Sequence, residues 1–388
     1  MAAMGPTSPG WSPARSSWPP SDSLTCASPR TRPRTVSMET ELLSPADAGR
    51  WRQFVADAPQ GDVLQCMEWG EVKSRTGWRP FTVAVLDGPR IVAGALALRR
   101  SAPLGRSILY CPRGPVVDWQ NAEALGCVVE GLRRLAREQR AILVKVDPPL
   151  AGEAHAVALR KAGFRPAPVP DEGFGGTQPR AVMKTFPLAD DDTLLARFKP
   201  KTRYNIRLAE RKGVEVTGDA TREDLREFYA VLLETGERDG FHVRDLGYFE
   251  CLWDCLIERG LGRLFLARHE GQVLGGAIDF ILGRQCWYVY GASSNAKRNL
   301  MPNYLLQWRM MQWARDQGCD TYDFRGVPLD RPGTGEDLSG LVRFKAGFDA
   351  RYAEYIGEWD LPLSATLYRA FTLLEPSVRR IRLKLRSG

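Results

Sequence analysis

Several things are scarce in this 388-residue chain, and each scarcity removes a class of function. No run of about 18 apolar residues occurs, so nothing in the sequence is expected to span a bilayer as a helix. Only three histidines are present, His155, His242 and His269, which leaves little material for a Ser-His-Asp triad or a histidine-rich metal site. The eight cysteines form no Cys-x-x-Cys pair and sit mostly inside apolar segments, so a disulfide framework is not expected and a reducing cytoplasm is the simplest compartment. Cys251 and Cys255, one helical turn apart beside Leu252 and Trp253, suit core packing better than metal. Neither a Walker loop nor a Rossmann glycine pattern appears, and no metal, ATP or NAD cofactor is expected. A heptad run is also missing, which excludes a long coiled-coil arm.

What is present is ample chain for two domains and an excess of positive charge, +8 with a pI near 9.1. Such a balance favours polyanionic partners: RNA, nucleotide phosphates or an anionic membrane face. Residues 1–37 are rich in Pro, Ser and Arg without apolar periodicity. They read as a disordered extension, or as sequence upstream of a start at Met38, and lack the apolar middle of a signal peptide. Order is expected from about residue 42, with a first helix over 46–55.

Beyond that point one grammar is used twice. In the first half, 81–86 alternates like a strand, Asp87-Gly88 turns it, and 91–98 returns. A short strand over 107–111, the loop Pro112-Arg113-Gly114-Pro115, a helix over 122–139 and a buried strand over 141–146 follow. The second half repeats the order: strand 264–268, turn Glu270-Gly271, strand 273–281, strand 286–290, loop 291–294, helix 304–317, strand 321–324. This succession resembles the core of the GNAT acyltransferases, and two copies of it imply a duplicated α/β (α+β) fold with mixed sheets flanked by helices. The domains are drawn at 38–187 and 188–388. Between the copies, 194–212 is Arg- and Lys-dense and helical in pattern. Helices at about 222–238 and 248–259 come next, and a basic amphipathic stretch closes the chain over 367–386.

Six strings then point to one family. Arg203-Tyr204-Asn205-Ile206-Arg207-Leu208-Ala209-Glu210-Arg211-Lys212-Gly213-Val214 is one. Others are Tyr288-Val289-Tyr290-Gly291-Ala292-Ser293-Ser294 with Asn299-Leu300-Met301-Pro302-Asn303, Asp323-Phe324-Arg325-Gly326, and Leu341-Val342-Arg343-Phe344-Lys345-Ala346-Gly347-Phe348. Near the front stand Trp69-Gly70-Glu71-Val72-Lys73 and Pro112-Arg113-Gly114-Pro115-Val116-Val117-Asp118. Together, over about 46–363, they resemble the FemABX family in its compact form without a helical arm. The resemblance implies a pair of GNAT-like domains and transfer of an amino acid from aminoacyl-tRNA. The implied acceptor is an amino group of the stem peptide of UDP-MurNAc-pentapeptide or lipid II.

Aminolysis of an activated ester needs a deprotonated amine, a placed carbonyl and a donor for the oxyanion, but no nucleophilic side chain. Lys345 is the first candidate for that donor: the resemblance places the family's important lysine here. Phe344 and Phe348 pack one turn apart, leaving Lys345 offset toward a cleft. Asp118, after the Pro-Arg-Gly-Pro loop, is the candidate for orienting the amine or taking its proton, though it equally suits the cap of a helix starting near Gln120. Lys73, Arg203 and Arg207 are candidates for the acceptor's diphosphate and carboxylates; the two arginines share a face if helical, as on any solvated basic helix. Tyr288 and Tyr290, two apart on a strand, are expected on one side as phenol donors or core aromatics, and Trp69 as a stacking surface or core residue. Lys297, Arg298 and Arg325 are weaker candidates for the tRNA acceptor end. The basic C-terminal stretch suits either peripheral contact with the inner membrane face or an ordinary surface helix. The competing readings are a GNAT-like N-acyltransferase using acyl-CoA and a non-enzymatic RNA- or membrane-binding module. A Gly/Arg-rich pyrophosphate loop would favour the first, and Gly291-Ala292-Ser293-Ser294 is a poor one.

Overall fold

The computed structural model describes residues 38–168, 176–329 and 340–373. The first half opens with β1 (Glu39–Leu43), α1 (Ala48–Asp57) and α2 (Met67–Ser74). Next come β2 (Arg79–Asp87), β3 (Arg90–Ala102), β4 (Arg106–Cys111), the two-residue β5 (Val116–Val117), α3 (Ala122–Glu138), β6 (Ala141–Val146), α4 (Glu153–Lys161) and β7 (Arg165–Pro166). Then follow β8 (Ala181–Thr185), α5 (Asp191–Arg197), α6 (Pro200–Arg211), β9 (Glu215–Thr217), α7 (Leu225–Asp239) and α8 (Leu246–Leu252). The last set is β10 (Gly262–His269), β11 (Gln272–Leu282), β12 (Gln285–Ser293), α9 (Pro302–Asp316), β13 (Thr321–Gly326), α10 (Gly340–Gly347), β14 (Arg351–Glu354) and β15 (Trp359–Pro362).

The repeated grammar is real. β2-β3-β4-β6 and β10-β11-β12-β13 each run antiparallel, antiparallel, parallel, with a helix before the last strand. In α3 the buried residues Ala124, Leu125, Val128, Val129, Leu132, Leu135 and Ala136 recur at three- and four-residue spacing, giving one apolar stripe for the sheet. The Asn121 side chain caps its start by accepting from the Ala124 amide at 3.0 Å. The β10–β11 turn holds Glu270 and Gly271 at φ 51° and 79°, which a tight hairpin requires.

The sheets do not sort at 187/188. β8, from before that point, pairs with β13 and β14 in the second sheet, while β15, near the end of the described chain, pairs with β6 and β7 in the first. Both exchanges cover an edge that would otherwise leave backbone groups unpaired. The basic stretch 194–212 is two helices rather than one, because Pro200 cannot continue α5 but suits the first turn of α6. The helix expected over 248–259 is α8 followed by a π-helical turn, Trp253–Ile257. The strand after β11 runs through Ser293, taking in most of the loop placed at 291–294. The longest helix among the described residues is α3, at 17 residues. Residues 1–37 and the basic tail beyond 373 lie outside the described residues.

One apolar cluster spans both sheets. Trp51, Val55, Trp69, Leu96, Leu98 and Val116 from the first half meet Phe228, Phe249, Ile278, Phe280 and Trp287 from the second. Full burial of a residue such as Phe280 contributes about 1.5–3 kcal/mol, so this shared core holds the halves against each other.

Candidate active site

A band of polar and charged side chains follows the seam between the two halves. At one end α2 presents Lys73, with its ammonium 5.2 Å from the Trp69 ring. Arg100, near the end of β3, lies on the Trp78 ring at 5.2 Å, and Arg244, just before α8, lies on the Tyr248 ring at 4.6 Å. Burial, then Arg244, then Arg100 push the Lys73 ammonium down to about 8. Among the described residues no carboxylate ion-pairs with Lys73 or Arg244. Three cations brought together on aromatic faces raise each other's energy, and an incoming anion lowers it.

The band continues through Tyr248 and Tyr290, whose hydroxyls are 2.9 Å apart. Burial raises the Tyr290 phenol, while the Tyr248 hydroxyl and the charges of Arg244 and Arg325 counter it. The tyrosine pair expected on one side is split. Pairing shifts register between Ile278 and Asp279, so that Ile278 faces Tyr290 but Asp279 faces Tyr288, leaving Val289 as the extra residue of a bulge. Tyr288 accordingly packs with the second sheet's helix-side core, and Tyr290 with the shared core beside Phe249 and Phe280.

At the far end β13 bulges between Asp323 and Gly326, a local turn in the strand where Arg325 takes φ 58°. Its amide donates to Asp323 Oδ1 at 2.6 Å, and its guanidinium lies over Trp287 at 5.6 Å and 3.5 Å from Asp62 Oδ2. Lys345, on α10, reaches this turn. Its Nζ donates to the carbonyls of Gly326 at 2.6 Å and Arg325 at 3.3 Å. It is 3 % exposed, so the offset read from the Phe344/Phe348 spacing carries it into the seam rather than to an open cleft face. Burial lowers its ammonium to about 8, with Asp323 acting in the opposite direction.

Around that turn lie further buried ions. Lys184 on β8 is 3.6 Å from Asp323 Oδ2 and 5.4 Å from the Tyr355 ring. Asp62, Lys184, Gln285, Trp287 and Tyr355 line a cavity of about 170 Å³. Arg113, from the loop before β5, also lies over the Tyr355 ring at 5.0 Å, and its amide donates to Asp147 Oδ1 at 2.6 Å. Tyr110 donates to Asp147 Oδ2 at 2.7 Å. Burial lifts Asp147 to about 7, against the pull of Arg113.

The remaining candidates fall elsewhere. Asp118 is exposed, accepts from the Gln120 amide at 3.0 Å, and lines a separate depression of about 800 Å³ with Arg50, Phe54, Pro89 and Trp119. No hydrogen bond or ion pair among the described residues joins it to Lys345, Asp323 or Arg325. It orders the turn before α3, one step upstream of the Asn121 cap. Trp69 is a core residue, edge-on to Phe280 at 6.4 Å, although its other face carries Lys73. Arg203 donates to the carbonyls of Leu195, Ala196 and Phe198, closing the C-terminus of α5. Arg207 is exposed on the same helix, and so is Arg298 before α9. Lys297 pairs with Glu270 at 2.6 Å and His269 at 2.9 Å.

Sequence motifs alone passed over Arg100, Arg244, Tyr248, Asp62 and Lys184. Arg100 and Lys184 carry no local signal, since each is a basic residue on a strand. Arg244, just before the Asp245 cap of α8, stood in a loop whose position depended on how α7 and α8 pack.

Comparison with known proteins gives a coherent result. A model of the FemAB family matches residues 47–162, 170–260 and 263–376. The lipid II:glycine glycyltransferase of Staphylococcus saprophyticus is 32% identical over 399 residues, which cover 86% of this chain and 95% of that protein. A crystal structure of FemX superposes with a TM-score of 0.79 at 29% identity, covering 86% of this chain and all (100%) of that one. A tandem GNAT protein from the clavulanic acid pathway, at 12% identity, covers 84% of this chain and 99% of its own with a TM-score of 0.51. It shares the fold alone.

Proposed function

The chain belongs to the FemAB family, and from that premise we propose that this acyltransferase moves an amino acid from aminoacyl-tRNA onto an amino group of the stem peptide of a peptidoglycan precursor. The acceptor is UDP-MurNAc-pentapeptide or lipid II, the second being the substrate in the name of the staphylococcal relatives. The observation that carries the reading is the seam itself: a cluster of cations without a carboxylate on Lys73 or Arg244, the hydrogen-bonded pair Tyr248 and Tyr290, and a buried lysine lowered to about 8.

In this reading Lys73, Arg100 and Arg244 hold the acceptor's diphosphate, whose charge relieves their mutual repulsion. The stem peptide runs past Tyr290 toward the 170 Å³ cavity, where its amine meets the ester carbon. Attack forms the C–N bond and a tetrahedral oxyanion. Collapse breaks the C–O bond to the ribose, and the proton lost by the amine ends on the departing 3′ oxygen. A lysine near 8 is suited to this task, because it is protonated at neutral pH and yields its proton to an alkoxide readily. Arg325, fixed by Asp62 and Trp287, supplies a second positive charge beside the reacting centre. Arg207 and Arg298 are left exposed for the phosphates of the tRNA acceptor end, whereas Lys297 would have to leave Glu270 to join them. Asp118, on another depression, is not needed when the substrate's own groups carry the proton.

The test is a transfer assay with tRNAs charged with Gly, Ala, Ser or Leu, both acceptors, and Lys345→Met beside the parent. Label in the stem peptide that the variant fails to deliver supports the reading. Absence of transfer from every charged tRNA, with acylation from acyl-CoA, overturns it in favour of a GNAT-like N-acyltransferase.

A further inference from the structure

We propose that the β3–β4 hairpin is a membrane finger that sets this protein on an anionic bilayer, with Leu104 as its inserting tip. The hairpin turns through Pro103, Leu104 and Gly105, and the Arg106 amide donates to the Pro103 carbonyl at 3.2 Å. Leu104 and Gly105 both take positive φ, 59° and 63°. That pair of angles favours Asn or Gly at the first position, because a Cβ is crowded there. Water favours the same choice, yet the residue is a leucine that is 91% exposed. Local conformation and solvation therefore both act against the side chain the sequence places at the tip, and an apolar medium outside the protein is what it fits.

The surroundings say which medium. At this end of the first sheet Arg79 lies directly across from Arg99, Ala102 pairs with Arg106, and the Ser107 amide donates to the Arg140 carbonyl at 3.2 Å. Four arginines thus ring the base of the finger, and among the described residues no carboxylate ion-pairs with any of them. Like charges facing each other across a strand pair cost stability in water, and a surface of anionic headgroups removes that cost. An RNA backbone would also engage the arginines, but it offers nothing to an exposed leucine on a protruding turn; a bilayer offers both.

The finger deepens the proposed function and rests on its lipid-linked form. Arg100, a member of the cationic cluster, lies on β3 four residues before Leu104 in the turn that follows, about 13 Å at most along the chain. Apolar groups of interfacial proteins reach roughly 5–10 Å below the headgroups. With Leu104 at that depth, Lys73, Arg100 and Arg244 come to the level of a lipid-borne diphosphate.

The experiment is flotation of the full chain with phosphatidylcholine vesicles, with and without roughly one-third phosphatidylglycerol. The parent is expected to float with the anionic vesicles and to be released by salt. Leu104→Asp is expected to weaken partition roughly tenfold, and Arg106→Glu with Arg140→Glu by more than tenfold, at about fivefold for each charge. Asp is well tolerated at positive φ, so the melting temperature of Leu104→Asp should not fall. Equal flotation with neutral and anionic vesicles, or variants that float like the parent, overturns the proposal. So does loss of tRNA binding in the arginine variants with vesicle partition unchanged, which would make the patch an RNA surface. In transfer assays Leu104→Asp should slow the reaction with vesicle-borne lipid II and leave UDP-MurNAc-pentapeptide unaffected. Finger-dependent flotation without transfer to either acceptor would fell the proposed function and keep the finger. Transfer with finger-independent flotation would do the reverse.

Discussion

Two lysines among the described residues have an ammonium lowered to about 8, and they reach that value by different routes. Lys73 loses water and also faces Arg244 and Arg100, so part of its difficulty is a deficit of negative charge. Lys345 loses water more completely, but two carbonyls of its own chain accept from it and Asp323 stands by. The first environment is incomplete until an anion arrives. The second is complete as folded, and in the proposed reaction its lowered value is what proton chemistry draws on. A displaced pKa alone therefore does not distinguish a binding lysine from a catalytic one; the identity of the neighbours does.

The largest expected effect breaks the comparison on the catalytic side. Lys345→Met should lower kcat by about 10²–10³-fold with little change in acceptor KM, measured by single-turnover transfer. Its stability should change little at pH 7. Relief of a buried ammonium, worth about 3 kcal/mol for a fall from 10.5 to about 8, is offset by leaving two carbonyls unsatisfied at about 1–3 kcal/mol. The pH dependence gives the sharper sign. Between pH 8 and 10.5 the unfolded chain holds a proton on this lysine that the folded chain has released, so the parent gains stability as pH rises through that window. Denaturant titrations should show Lys345→Met lacking that part of the gain.

Next in size, Lys73→Ala and Arg244→Ala should each raise acceptor KM by roughly 10–100-fold with kcat nearly kept, as loss of a charge-assisted contact predicts. Their double-mutant cycle should be non-additive, since the two cations share one anion. A third experiment separates the lysines directly. Binding of the nucleotide-linked acceptor should raise the Lys73 value and draw a proton from buffer near pH 8.5, seen as a buffer-dependent heat in calorimetry. That uptake should vanish in Lys73→Ala and persist in Lys345→Met. The smallest effect is at Asp118→Asn, where asparagine can still accept from the Gln120 amide. Turnover should change less than about threefold, and a much larger loss would return Asp118 to the reacting centre.

Much of this architecture is legible in the sequence. The paired strand-turn-strand-strand-helix-strand order is written in period-two alternation and in turn pairs such as Glu270-Gly271. These are local signals, and both copies fold as they indicate. Lys345 and Arg325 are legible because the strings around them are distinctive, and the fold brings them within one hydrogen bond of each other. The basic face of α6 is legible too, but its meaning is not: Arg203 is used up on the end of α5. Three consequences have no local signature. The bulge at Val289 turns Tyr288 and Tyr290 to different cores, and one inserted residue in a ladder leaves no mark on its own sequence. The exchange of β8 and β15 between sheets depends on which edges stand open once each sheet has formed. The gathering of Lys73, Arg100 and Arg244 joins residues from α2, β3 and the loop before α8, up to 171 positions apart.

Sequence by itself thus determined the elements and their duplicated order, because these rest on short-range periodicity and turn chemistry. Tertiary structure alone decided which cations meet, which tyrosine faces them, and that Lys345 is held by carbonyls rather than water. Charge clusters and burial are sums over distant neighbours, and only packing the two halves on their shared core sets those neighbours in place.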